Sequence, residues 1–124
     1  MDQLGEAFAR ALAAKDLDGL RDVLAPDVDF RALTPGQTWE ADAREAAQMA
    51  ELGISEDDEV LGLTRVWAGA PVEDTSHVGY RLTLRTPDGD YTVEQQGYYR
   101  VEDGRIAHLR LVCSGYRPVH PASP

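Results

Sequence analysis

The stretch YTVEQQGYYRVEDGRIAHLRLVCSG, residues 91–115, decides the fold. Two runs rich in aromatic and β-branched residues, Tyr91–Val101 and Arg105–Gly115, flank Glu102-Asp103-Gly104, so the stretch reads as a long β-hairpin. Residues directly opposite in a strand pair share a face, and a one-residue slip exchanges the faces. A three-residue loop with Gly104 in the left-handed conformation sets Val101 opposite Arg105. Tyr99 then faces Ala107, Gly97 faces Leu109, Gln95 faces Leu111 and Val93 faces Cys113, a nearly all-apolar surface. The other surface pairs Arg100 with Ile106, Tyr98 with His108, Gln96 with Arg110 and Glu94 with Val112. A two-residue turn would pair Tyr99 with His108 and Gln95 with Val112, scattering polar groups over both faces, so the three-residue loop is preferred. The choice matters for function. With opposite parity Glu94, Gln96, Tyr98, His108 and Arg110 would point inward and form an acid–base pocket.

Working outward, His77–Thr86 alternates with Val78, Tyr80, Leu82 and Leu84 on one face. A four-residue loop at Pro87–Asp90 sets Thr86 opposite Tyr91, so that Leu82 meets Gln95 and Tyr80 meets Gly97. Gly97, lacking a side chain there, reads as the floor of a cavity. Val60–Ala68 is a further strand, and Val28–Leu33 brings Phe30 and Ala32 to the inner face. Leu4, Phe8, Ala11 and Leu12 repeat at helical spacing in Asp2–Ala14. Lys15-Asp16 breaks that helix, and Leu17, Leu20, Val23 and Leu24 start a second that Pro26 ends. Thr34–Gln37 is a turn, Trp39 opens a third helix near Asp42–Leu52 with Gly53 as its cap, and Glu56–Glu59 is a solvated acidic run. The order is helix-helix-strand-helix and then four strands. It describes an α+β domain with helices on one face of a mostly antiparallel sheet. Residues 1–117 form one domain and 118–124 a flexible tail.

Composition bounds the function. A chain of 124 residues is one domain with a self-sufficient core. Residues 1–60 carry 15 acids against 5 bases and residues 61–124 carry 7 of each. So acidic a first half repels nucleic acid and anionic membranes. No apolar run reaches a membrane span and no signal peptide is evident, which makes a cytoplasmic protein the default. The lone Cys113 forms no internal disulfide, and three scattered histidines, His77, His108 and His120, suggest no metal site. No cofactor is expected.

The inner face then holds no Asp, Glu, His, Lys or Arg. Its polar groups are the Gln95 amide, the Tyr80 and Tyr99 hydroxyls and the Cys113 thiol. A buried amide without a partner costs about 1–3 kcal/mol, so Gln95 must bond to a neighbour such as Tyr80, to water or to a ligand. Gln95 and Tyr99 are candidate ligand anchors. Phe30, Trp39, Tyr80 and Leu109 would supply contact area.

Three stretches carry a family likeness: AKDLDGLRDVLAPDVDFRALTPG (residues 14–36), GQTWEA (36–41) and VEQQGYYRVEDGRIAHLRLVCSGYRP (93–118). Over residues 3–117 the chain resembles the nuclear transport factor 2-like superfamily, which includes the SnoaL-like polyketide cyclases, ketosteroid isomerases, epoxide hydrolases and dehydratases. The resemblance implies a cone-shaped, strongly curved sheet wrapped around N-terminal helices, a helix-lined pocket and a homodimer through the outer sheet face. The tyrosine and two aspartates of the ketosteroid isomerases fall on Phe8, Ala32 and Gly97, which excludes that mechanism. The epoxide-hydrolase Asp–Arg–Asp relay has no inward counterpart. Cys113 or Ser114 stands near where cyclases carry an aspartate. The leading expectation is a pocket protein for an apolar or aromatic small molecule. The alternatives are a cyclase, isomerase or dehydratase using the same pocket, and a protein-interaction module.

Overall fold

A computed structural model describes residues 4–34, 37–41 and 58–119. The expected third helix, its Gly53 cap, the Pro35-Gly36 turn and His120 lie outside the described residues. Helix α1 (Leu4–Ala13) buries Gly5, Phe8, Ala9, Ala11 and Leu12, the stripe its spacing predicts. It ends in paired bonds from Lys15 N–H to the Leu12 carbonyl and from Asp16 N–H to the Ala11 carbonyl, with Lys15 left-handed at φ 53°. Those two bonds satisfy carbonyls that a helix end otherwise leaves open. Asp16 then caps α2 (Leu17–Val23) by accepting the Gly19 N–H at 3.0 Å.

Seven strands follow: β1 (Leu24–Thr34), β2 (Gln37–Ala41), β3 (Glu59–Trp67), β4 (Ser76–Thr86), β5 (Gly89–Glu102), β6 (Arg105–Cys113) and β7 (Arg117–Pro118). They form one sheet in the order β2-β1-β6-β5-β4-β3, with β7 added beside β5. Among the described residues only β1 and β6 pair in parallel, and that pairing is irregular between Leu24 and Asp29, around Pro26. Helix α1 packs on β3 and β4, and α2 packs on β1 and β6. The architecture is α+β with a mostly antiparallel sheet. Among the described residues no helix is long and apolar enough to cross a membrane.

Strand β2 corrects the sequence reading. Trp39 lies in a strand opposite Ala32 rather than at the start of a helix. Five residues without clean alternation give no local strand signal; pairing with β1 supplies the stabilisation. The tail differs at its start too: β7 pairs with Tyr91 and Thr92, and the Val119 N–H bonds to the Asp90 carbonyl at 3.0 Å.

Both long hairpins turn more tightly than their sequence suggests. Thr86 pairs with Gly89, so Tyr80 faces Gln95 and Val78 faces Gly97. The Thr86 hydroxyl explains the tight loop by accepting the Asp88 N–H at 3.1 Å and donating to the Gly89 carbonyl at 3.0 Å. At the other hairpin Glu102 pairs with Arg105, and Asp103 and Gly104 have φ 53° and 79°, the two-residue turn an Asp-Gly pair favours. Carried along β6, that turn alone would have pointed Leu109, Leu111 and Cys113 at solvent. A bulge prevents it. Val101 pairs with Ile106 but Arg100 pairs with His108, leaving Ala107 as the extra residue. Past the bulge Tyr99 faces Leu109, Gly97 faces Leu111 and Gln95 faces Cys113. Each pairing is displaced by two residues from the expected one, so the expected faces survive. Val78, Tyr80, Leu82 and Leu84 are buried, as are Val93, Gln95 and Tyr99, and Leu109, Leu111 and Cys113. Ile106, expected outside, is 1% exposed, because the bulge puts it on the same side as Leu109.

The bulge yields a sharp test. Deleting Ala107 should abolish cooperative thermal unfolding, because it forces either the turn or the buried face of β6 into the wrong register. The Ala107→Gly variant should unfold cooperatively. A deletion variant with the parent's circular dichroism and melting temperature would contradict this account.

Candidate functional site

The inner face of the sheet arranges the candidate residues on successive rungs. Phe30, Leu109 and Tyr99 lie on one rung across β1, β6 and β5. The next inner rung carries Ala32, Leu111, Gly97 and Val78, with Trp39 opposite Ala32 at its β2 end. The one after carries Cys113, Gln95, Tyr80 and Val66. Inner rungs are about 7 Å apart, two residues along a strand. All six sequence candidates therefore fall on three neighbouring rungs.

Gly97 is not an open floor. A Cβ built there meets Val78 Cγ1 at 3.3 Å and the Leu109 and Leu111 Cδ1 atoms at 3.5 Å, so the neighbours already fill the space. The Tyr99 hydroxyl accepts the Gly5 N–H at 3.1 Å, tying the first turn of α1 to the sheet. Helix and sheet approach closely here: a Cβ on Gly5 would lie 2.7 Å from that hydroxyl. Phe8 stands tilted over Tyr80 with ring centroids 6.3 Å apart.

The Tyr80 hydroxyl donates a hydrogen bond to Gln95 Oε1. Burial, reinforced by the nearby Cys113, pushes the Tyr80 phenol well above its ordinary range, so the group keeps its proton and acts as a donor. The Cys113 sulfur accepts the Gly115 N–H at 3.4 Å. On this face the described residues present hydrogen-bonding groups and no carboxylate, imidazole or amine.

Among the described residues one carboxylate is enclosed, just before β3, and sequence reasoning missed it. Asp58 was expected in a solvated run; it is 9% exposed. Its Oδ2 accepts the Tyr116 hydroxyl at 2.6 Å, and its backbone carbonyl accepts Lys15 Nζ at 2.5 Å. Tyr91 lies beside Tyr116, the rings tilted with centroids 5.8 Å apart. No sequence signal pointed to it, since Lys15 and Tyr116 are distant in the chain. Glu59 is exposed, as a solvated run requires, and Glu56 and Asp57 lie outside the described residues. Replacing Tyr116 by Phe should cost about 1–3 kcal/mol, since it leaves an enclosed acceptor without its donor. Urea unfolding measures this, and an unchanged midpoint would show that Asp58 is solvated after all.

The outer face carries the charge. Arg110 bonds to the Asp29 carbonyl at 2.9 Å and to its carboxylate at 3.2 Å, holding that carboxyl below its usual range. Arg81 bonds to Glu94 at 2.8 Å and depresses its carboxyl likewise. His77 accepts the Gly69 N–H on Nδ1 at 2.8 Å, so its Nε2 carries the proton and donates to Gln96 Oε1 at 2.6 Å. Gln96 in turn donates to Glu94 at 3.1 Å. His108 stands opposite Asp29 and Arg100. Partial burial, with Arg110 and Arg100 close by, lowers its pKa, against an opposing pull from Asp29. The acid–base pocket that opposite parity would have made is thus an outward-facing network.

The sign of the His108 effect follows. A folded-state pKa below the unfolded value means that the unfolded chain binds the proton more readily. The contribution is present above the ordinary value of about 6.5 and is lost as pH falls through the lower folded value. A His108→Gln variant should therefore lose less stability than the parent on acidification from neutral pH. Urea midpoints measured against pH would show it, and identical slopes would refute it.

A family model for SnoaL-like domains matches residues 6–109. No curated protein matches the sequence. Among solved structures, a protein assigned as a polyketide cyclase from Silicibacter sp. TM1040 superposes with a TM-score of 0.69 at 17% identity, covering 90% of this chain and 87% of that one. One with the same assignment from Xanthomonas campestris pv. campestris gives 0.68 at 19% identity, covering 88% and 86%. An LEH-like epoxide hydrolase of M. tuberculosis gives 0.62 at 20% identity, covering 90% and 80%. At these identities the likeness is one of fold.

Proposed function

Because the chain belongs to the SnoaL-like family, whose model spans residues 6–109, we propose that it is a small-molecule pocket protein taking an apolar or aromatic ligand against the inner face of its sheet. The observation that carries this is the polarity of that face: apolar rungs with a few hydrogen-bonding groups and no charge, the usual make-up of a ligand site. In this reading Gln95 and Tyr99 orient the ligand, and Phe30, Trp39, Tyr80 and Leu109 provide its contact area. Two copies associate through the outer face, where Leu33, Tyr98 and Val112 are 51%, 46% and 45% exposed amid paired charges. The free, buried Cys113 fits a reducing, cytoplasmic setting.

A second reading, a cofactor-independent cyclase or isomerase, draws on the names of the structural neighbours and on one feature of this chain. Asp58, enclosed and hydrogen-bonded to Tyr116, is the carboxylate such chemistry would call on.

Native mass spectrometry of the purified protein tests the leading reading. The expected species weighs twice the 13.6 kDa chain and gains one hydrophobic small molecule per chain, either co-purified or added as a naphthalene derivative. A monomer at micromolar concentration would overturn the dimer. Failure to take up any apolar aromatic compound would overturn the pocket.

A further inference from the structure

We propose that the Gln95 amide nitrogen is the recognition point for a neutral carbonyl oxygen on the ligand, and that Tyr80 is the positioning residue that aims it. The inference rests on the pocket reading above and specifies the chemistry its occupant must carry. Gln95 is 1% exposed, on the rung between Tyr80 and Cys113. A glutamine amide offers one acceptor oxygen and two N–H donors. Tyr80 has a single proton to give, and it gives it to Oε1. That bond also settles which way the amide is turned: with the nitrogen toward Tyr80, both the phenol proton and the amide oxygen would lack a partner.

The donors Nε2–H are what remain. Among the described residues Nε2 makes no hydrogen bond, and the Cys113 sulfur on the adjoining strand accepts the Gly115 N–H instead. Gln95 is thus almost wholly enclosed while both of its Nε2–H donors stay uncommitted among the described residues. A Tyr–Gln pair with spare donors is a costly choice for a purely structural core, because matched apolar side chains at the two positions would be close to neutral. It is a sound choice where an acceptor arrives from outside.

The acceptor's chemistry follows from its surroundings. A carboxylate or phosphate would bring negative charge onto a face whose described residues include no cation, within a chain of net charge −10. A ketone, aldehyde, quinone or ester offers two lone pairs, no proton and no charge. It is matched by an amide held in plane.

Three probes of nearly equal size separate the possibilities: 2-acetylnaphthalene, 2-ethylnaphthalene and 2-naphthoate, each titrated calorimetrically into the intact protein. The expected result is that the ketone binds about tenfold more tightly than the hydrocarbon, the worth of one net hydrogen bond, and that the carboxylate binds most weakly. Gln95→Leu should erase the difference in affinity between ketone and hydrocarbon. Tyr80→Phe should shrink that difference, whereas a purely structural role would weaken both probes alike. The carbonyl stretch of the bound ketone should move to lower wavenumber in the parent and not in Gln95→Leu. Equal affinities in the parent, or a ketone preference that survives in Gln95→Leu, overturn this proposal and leave the pocket standing. Failure of all three probes to bind overturns the pocket and the proposal together. The contrast between probes in the parent protein needs no variant to fold.

Discussion

One extra residue in β6 governs what each side chain can do. The Asp103-Gly104 turn is favourable by itself, because both residues adopt the positive φ that a tight hairpin needs. Its register conflicts with the apolar pattern of β6. The bulge at Ala107 resolves the conflict at the cost of a local break in the ladder. A ladder hydrogen bond is worth about 0.5–1.5 kcal/mol net, whereas burying a side chain the size of leucine is worth about 1.5–3 kcal/mol. Leu109, Leu111 and Cys113 are all turned inward by the shift. Burial therefore outweighs ladder regularity by a clear margin, and the local turn and the global face are both kept.

The same hierarchy explains what could be read from the sequence. Alternation of apolar residues constrains parity and nothing finer, so the faces of β4, β5 and the part of β6 past the bulge were legible while each pairing there stood two residues from its true partner. Turn geometry sets those two residues, and it depends on contacts such as the Thr86 hydroxyl that leave no periodic signature. Strand β2 was illegible because it exists by virtue of its neighbour. The enclosure of Asp58 was illegible for another reason: its partners Lys15 and Tyr116 lie 43 and 58 positions away, and an acidic run gives no hint of either. The six candidate residues lie on three neighbouring rungs, and it is the order of those rungs that alternation left open.

Charge is partitioned as strictly as volume. Arg110 with Asp29, Arg81 with Glu94 and the His77–Gln96–Glu94 chain all lie on the outer face, where solvent screens them and each pair adds little stability. Tyr98, Leu33 and Val112 are exposed on the same outer face. The inner face, relieved of charge, is a low-dielectric surface on which a single hydrogen bond counts for more than it would in water.

That partition bears on chemistry as much as on binding. A general acid or base must exchange its proton near neutral pH, and a phenol pushed upward by burial cannot serve as a base there. Tyr80 and Gln95 can hold and polarise an acceptor; moving a proton needs another group. Among the described residues the enclosed candidate is Asp58, which lies off the inner rungs and is engaged by Tyr116. Catalysis on this face would need a ligand that reaches from the Gln95 amide to the start of β3, or one that supplies the proton itself. Recognition of an acceptor through the Gln95 amide, as proposed above, requires neither.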